Sequence, residues 1–152
     1  MDRGLIVVGD TDRHRALLET AGEFAVGSGA ELVLLSTLRQ SEYEDDRDAL
    51  QGFERIEGAS YGIDTFRNNL TQKAQALANE TIADLDVDYE IEPRVVEDRS
   101  LAEEILAVAD QADVDHIFIV GQKRSPTGKA IFGNVAQSVI LGFDGRVTVD
   151  LE

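Results

Sequence analysis

The sequence predicts an α/β protein with an open five-stranded parallel sheet of order 3-2-1-4-5 and helices on both faces. Three observations point there. Short continuous apolar runs, too apolar to leave a face in water, alternate with segments whose apolar residues recur at helical spacing. That alternation implies right-handed crossovers returning each strand parallel to the last. The 152 residues hold no internal repeat and no linker-like stretch, which suits one domain able to bury its own core. Residues 1–150 are read as that domain, and Leu151-Glu152 has the form of a cloning scar left out of the fold reasoning.

The first strand is the run Leu5–Gly9, followed by Asp10-Thr11-Asp12, where a carboxylate or hydroxyl can cap a helix; Thr11 reads as a cap or turn residue, and Asp12 is also available for that job. Leu17, Leu18, Ala21, Phe24 and Ala25 form the inward stripe of that helix, which stops near Gly27 or Gly29. Glu31–Leu38 reads as the second buried strand. Residues 39–57 are acidic and irregular and read as a loop or short helix bordering the site. A long helix follows, with Ile63, Phe66, Leu70, Ala74, Leu77 and Leu85 on one face. Asp86–Val96 alternates as a strand with one more exposed face would. Ser100 and Glu103 make a capping box for a helix turning Leu101, Ile105, Leu106 and Ala109 inward. His116–Gly121 is the fourth strand. A last helix carries Val135, Val139 and Ile140, and an Asp144-Gly145 turn leads to a final strand, Arg146–Val149.

Composition narrows the functions. No cysteine is present, which removes disulfides, thiolate catalysis and thiolate metal sites. No secretory leader and no apolar run of membrane-spanning length are found, so a soluble cytoplasmic protein is expected. Fourteen Lys and Arg against thirty Asp and Glu give a net charge of −16, and only Lys73, Lys123 and Lys129 are lysines. Such self-repulsion is relieved by salt, which suggests a salt-rich cytoplasm as in halophilic archaea. Nucleic acid is disfavoured as a partner, because it needs a basic stripe. His14 and His116 lack metal-ligand spacing and read as surface or boundary residues. Ser125 and Ser138 have no histidine partner for nucleophilic catalysis. The acid run Glu42–Asp46 reads as a solvated loop.

Ligands of such sheets bind at the carboxyl ends of strands, where strand order reverses. The loops after strands one and four, Asp10-Thr11-Asp12 and Gly121–Asn134, occupy that place. The second stretch, GQKRSPTGKAIFGN, resembles a phosphate loop without the Walker spacing: six residues separate Gly121 from Gly128, and Ala130 follows Lys129. It concentrates Lys123, Arg124 and Lys129 in a lysine-poor chain, which favours an anion; neutralisation of nearby acidic surface is the plainer alternative.

With LIVVGDTDRHRALLETAGEFA and DHIFIVGQKRSPTGKAIFGNVAQSVI in view, the chain resembles the universal stress protein family, particularly its haloarchaeal members. The resemblance implies the adenine nucleotide alpha hydrolase-like fold. It also implies an ATP site of the pattern G-x-x-G-x9-G-[ST], with an Asp at the end of the first strand. Carried over, the binding positions are Gly9, Asp10 and Thr11, then Thr37, then Val120 and Gly121. Lys123, Arg124, Gly128 and Lys129 follow in the loop, and Gly133, Asn134 and Val135 at the last helix. The chain departs from the pattern where Arg124 replaces the second glycine, where eight residues rather than nine precede Gly133, and where Asn134 replaces the hydroxyl residue.

The expected function is adenine-nucleotide binding in a stress response, with ATP or a related nucleotide and Mg2+ as its counter-ion. No catalysis is expected. The alternative is a dimeric interaction protein with a degenerate loop, and a hydrolase is the weakest reading. A homodimer is expected through the last strand, a short, alternately apolar edge of the kind that seeks a partner, where the family is known to pair.

Overall fold

In the computed structural model, residues 1–39, 63–97, 101–122 and 133–151 are described. They form β1 (Arg3–Val7), α1 (Asp12–Ser28), β2 (Glu31–Arg39), α2 (Ile63–Thr81) and β3 (Tyr89–Val96). Then come α3 (Leu101–Gln111), β4 (His116–Gly121), α4 (Asn134–Gly142) and β5 (Arg146–Leu151). The sheet has five strands in the order β3-β2-β1-β4-β5, and every adjacent pair is parallel. The chain winds outward from β1 to β3, then returns to the other side of β1 through β4. The reversal of strand order therefore falls between β1 and β4.

Continuous apolar strands become a sheet buried on both faces. Leu5, Val33, Leu35, Ile117 and Ile119 point one way and are covered by Ile105, Val108 and Ala109 of α3 with Ala136 and Val139 of α4. Ile6, Leu32, Leu34 and Phe118 point the other way, under Leu17, Leu18, Ala21 and Ala25 of α1, Ala78 of α2 and Ile82 just beyond it. Gly29 ends α1 in the left-handed region (φ 65°), giving its amide to Ala25 O and Val26 O; a residue with a Cβ would be strained there. Gly22 lets α1 approach the turn that follows α2: a Cβ at that position would lie 2.7 Å from Ile82 Cγ2 and 2.9 Å from Leu85 Cδ1.

Several details differ from the expectations. β1 begins at Arg3 and ends at Val7, before Gly9, and β5 continues to Leu151, in register with Gly121. α2 ends at Thr81, so Leu85 packs from beyond the helix and buried Ile82 takes the stripe position. Phe24 is 40% exposed, its ring edge resting on His116 and Phe118. In α4, Val139 turns inward with Ala136, while Val135 (36%) and Ile140 (38%) face outward; the small Ala136 allows close seating on the sheet. His116 is not a surface or boundary residue but only 4% exposed. Its ring stacks on Phe118 with centroids 4.2 Å apart, and its Nε2 lies 2.7 Å from Thr148 Oγ1. Burial, with Arg146 nearby, holds its pKa below the ordinary 6.5. His14 is half-buried, as expected.

Candidate functional site

The sheet register brings three chain ends level. Val7 pairs with Leu35 and Ile6 with Phe118. Carried forward, those registers set Gly9 beside Thr37 on one side and beside Gly121 on the other. The loops after β1, β2 and β4 thus leave the sheet together at the point where strand order reverses, the usual ligand position of such folds.

On the β2 side of this end lies a cleft of about 730 Å3, between the ends of β1 and β2 and the flanks of α1 and α2. That volume is within the range of small-molecule sites. Val8, Gly9, Asp10, Ser36, Thr37 and Leu38 come from the strand ends, and Leu70, Lys73 and Leu77 from α2. Ser36 is buried, and its hydroxyl donates to Leu70 O at 3.1 Å, fixing α2 against β2. Arg15 of α1 and Glu80 of α2 close the cleft with an ion pair at 3.6 Å. Asp10 is exposed beside it and forms no ion pair or side-chain hydrogen bond among the described residues.

Gly9 makes room for a neighbour. A Cβ there would lie 2.8 Å from the His14 ring. His14 Nδ1 in turn lies 2.6 Å from Thr11 Oγ1, and Thr11 is the cap of α1, accepting from the His14 amide at 3.2 Å. Capping therefore falls to the Thr11 hydroxyl rather than to Asp12, which sits in the first helical turn, and Asp10 is released from that work. Thr11 borders a second, shallower cleft with Arg13 and Asp150, whose ion pair at 2.8 Å ties the start of α1 to the end of β5.

On the β4 side, Gly133 opens α4 with φ 89° and ψ 154°, a region essentially reserved to glycine. A Cβ there would be 3.5 Å from Gln122 N, so the start of α4 lies against the end of β4. Gly133 has no side chain with which to cap α4, so the first-turn amides receive no cap from that residue. Asn134 and Val135 are exposed in that turn, and Val120 and Gly121 end β4. Lys123, Arg124, Gly128 and Lys129 lie outside the described residues, as do Ser125, Ser100 and the acid run Glu42–Asp46.

Of the sequence-derived positions, the structure gathers Gly9, Asp10 and Thr37 in one cleft and sets Gly121 level with them. Lys73, Arg15 and Glu80 were missed. The available signal was the i, i+4, i+7 spacing of Lys73, Leu77 and Glu80, which puts them on one edge of α2. Among the described residues, no cluster of His, Cys, Asp or Glu is arranged to hold a metal ion, and no helix is long and apolar enough to cross a membrane.

The comparisons agree with this architecture. A family model described as the universal stress protein family matches residues 1–149. A universal stress protein from Archaeoglobus fulgidus is similar at 25% identity, TM-score 0.63, covering 98% of this chain and 97% of the other. A universal stress protein in complex with cAMP has TM-score 0.63 at 16% identity, covering 97% and 94% of the two chains. One from Archaeoglobus fulgidus in complex with dAMP has TM-score 0.60 at 18% identity, covering 98% and 96%. No curated protein matches the sequence.

Proposed function

This chain belongs to the universal stress protein family, and from that premise we propose that it binds an adenine nucleotide, ATP or a close relative, at the carboxyl end of its sheet. The observation that carries this reading is the Asp10 carboxylate, open on a cleft of about 730 Å3 beside the reversal of strand order. A carboxylate only accepts hydrogen bonds, and ribose hydroxyls are suitable donors. The Gly121–Gln122 and Gly133–Asn134 segments supply backbone at the phosphate end, where the amides opening α4 favour an anion. Arg124, Lys123 and Lys129 add cations in place of the lost glycine, with Mg2+ as the nucleotide's counter-ion. The neighbours crystallised with cAMP and dAMP support the adenine reading.

The nucleotide serves as a signal of occupancy in a stress response rather than as a substrate, in a salt-rich cytoplasm that suits the −16 charge. The protein acts as a homodimer through β5. The contrast between the two sheet edges favours that side. β3 carries Pro93 and the charged Glu90, Glu92 and Arg94, which blunt an edge, whereas β5 offers the half-buried Val147, Val149 and Leu151. The second reading, a dimer without nucleotide, is favoured by Arg124 and Asn134 standing where the family pattern has Gly and Ser or Thr. Heat-denaturing the purified protein and resolving the supernatant by anion exchange decides between them. Released adenine nucleotide is the expected outcome; an empty supernatant, with no uptake on later addition of ATP, favours the second.

A further inference from the structure

We propose that Lys73 is a specificity-determining residue of this cleft, donating to a ring nitrogen of the purine of the bound nucleotide. The inference rests on the nucleotide reading above and deepens it. Lys73, Leu77 and Glu80 form one edge of α2, beside the buried row Phe66, Leu70, Ala74, Ala78 and Ile82. All three members of that edge line the cleft. A lysine between Leu70 and Leu77, facing a cavity, does no core packing.

Among the described residues, four charged side chains line the cleft: Asp10, Arg15, Lys73 and Glu80. Arg15 and Glu80 pair with each other. Asp10 and Lys73 have no ion pair among the described residues, and they come from different walls, the sheet end and the helix. Their hydrogen-bonding roles are opposite: a carboxylate accepts only, an ammonium donates only. A ligand satisfying both must present donors toward β1 and acceptors toward α2. A nucleoside has that polarity, with hydroxyls on its sugar and lone-pair nitrogens on its base.

The sheet order fixes which end faces Lys73. Phosphates belong beside β4 and α4, Asp10 follows β1 in the middle, and β2 with α2 lies beyond it. The base is therefore carried to the α2 wall, where Val8, Leu38, Leu70 and Leu77 offer apolar surface to a flat ring. Ser36, another donor there, already gives its proton to Leu70 O. Thr37 stands at the end of β2, and on the α2 wall Lys73 is the charged donor among the described residues, placed to read the ring edge. A hydrogen bond from a charged donor is stronger than a neutral one, and ordering an exposed lysine offsets part of that gain. The expected contribution is roughly ten-fold in Kd.

The test titrates the full chain and its Lys73→Met and Lys73→Gln variants, in molar KCl, with ATP, with the 1-, 3- and 7-deaza analogues of ATP, and with tripolyphosphate. Lys73→Met keeps the length of the stem and removes the donor; Lys73→Gln keeps a neutral donor. The expected result is a roughly ten-fold weaker Kd for ATP in Lys73→Met and partial recovery in Lys73→Gln. One deaza analogue should bind wild type as weakly as ATP binds Lys73→Met, with no further loss in the variant. Tripolyphosphate should bind wild type and variants alike. Equal ATP affinity in wild type and Lys73→Met overturns the proposal. So does an equal loss of ATP and tripolyphosphate, which would put the ammonium on phosphate. Absence of ATP binding by wild type is a separate result: it removes the nucleotide reading, and this proposal with it.

Discussion

Replacing Gly22 and Gly27 by alanine, one at a time, should move stability in opposite directions although both lie in α1. Alanine in a helix interior gains about 0.8–1 kcal/mol over glycine. At Gly27 nothing lies within 4 Å of the new Cβ, so the gain is realised in part, about 0.5 kcal/mol in the last turn. At Gly22 the Cβ meets Ile82 Cγ2 at 2.7 Å, and Ile82 is only 1% exposed with no room to retreat. Overpacking of this kind costs roughly 1–3 kcal/mol, which outweighs the propensity gain and leaves a net loss of about 1 kcal/mol. The two variants should therefore differ by about 1.5 kcal/mol, or about 3–6 °C in melting temperature for a domain of this size. Urea denaturation in molar KCl, with unchanged slope, measures the difference directly. Equal stabilisation by both substitutions would refute the close approach of α1 to the turn that follows α2.

Three further outcomes are expected. The pKa of His116 is held below its ordinary 6.5 by burial and by Arg146, against the opposing pull of Asp115. The folded state thus prefers the neutral ring: this contribution is intact above 6.5 and is lost as pH falls from there through the lowered folded value. Wild type should lose stability on acidification through that window more steeply than His116→Phe, which keeps an aromatic stack on Phe118; identical profiles would contradict the assignment. Melting temperature should climb from low to molar KCl as the −16 charge is screened, and a flat profile would remove the halophilic reading. Light scattering at micromolar protein in high salt should give a dimer, and Val149→Lys on the β5 edge should shift it to monomer; a wild-type monomer ends the edge-pairing proposal.

The fold was legible because continuous apolar runs such as HIFIV have no stable place except inside a covered sheet, and the helical stripes between them leave one crossover hand. What escaped the sequence depends on rotation and contact. His116 and Phe118 are two residues apart and share a strand face, but the lid that Phe24 places over both is invisible until α1 is seated. Val135, Ala136, Val139 and Ile140 offer α4 two plausible apolar faces, and the choice falls to the small Ala136. Asp10, Thr11 and Asp12 are all competent caps; Thr11 reads as a cap or turn residue from the sequence, and the backbone geometry makes it the cap. The site was half legible. Asp10 follows from topology, and Gly9 and Thr37 from the family resemblance, whereas Lys73 sits mid-helix and meets them only through the turn of α2.

The most direct test of the central claim is isothermal titration of the protein with Mg-ATP in molar KCl, alongside Asp10→Ala and Gly133→Val. Asp10→Ala removes the open carboxylate of the cleft, and Gly133→Val forces a branched side chain into φ 89°, displacing the start of α4 from Gln122. Saturable binding of one nucleotide per chain is expected, weakened roughly ten-fold or more by each substitution, while both variants stay folded. Absence of heat with wild type, or full affinity in Asp10→Ala, would contradict it.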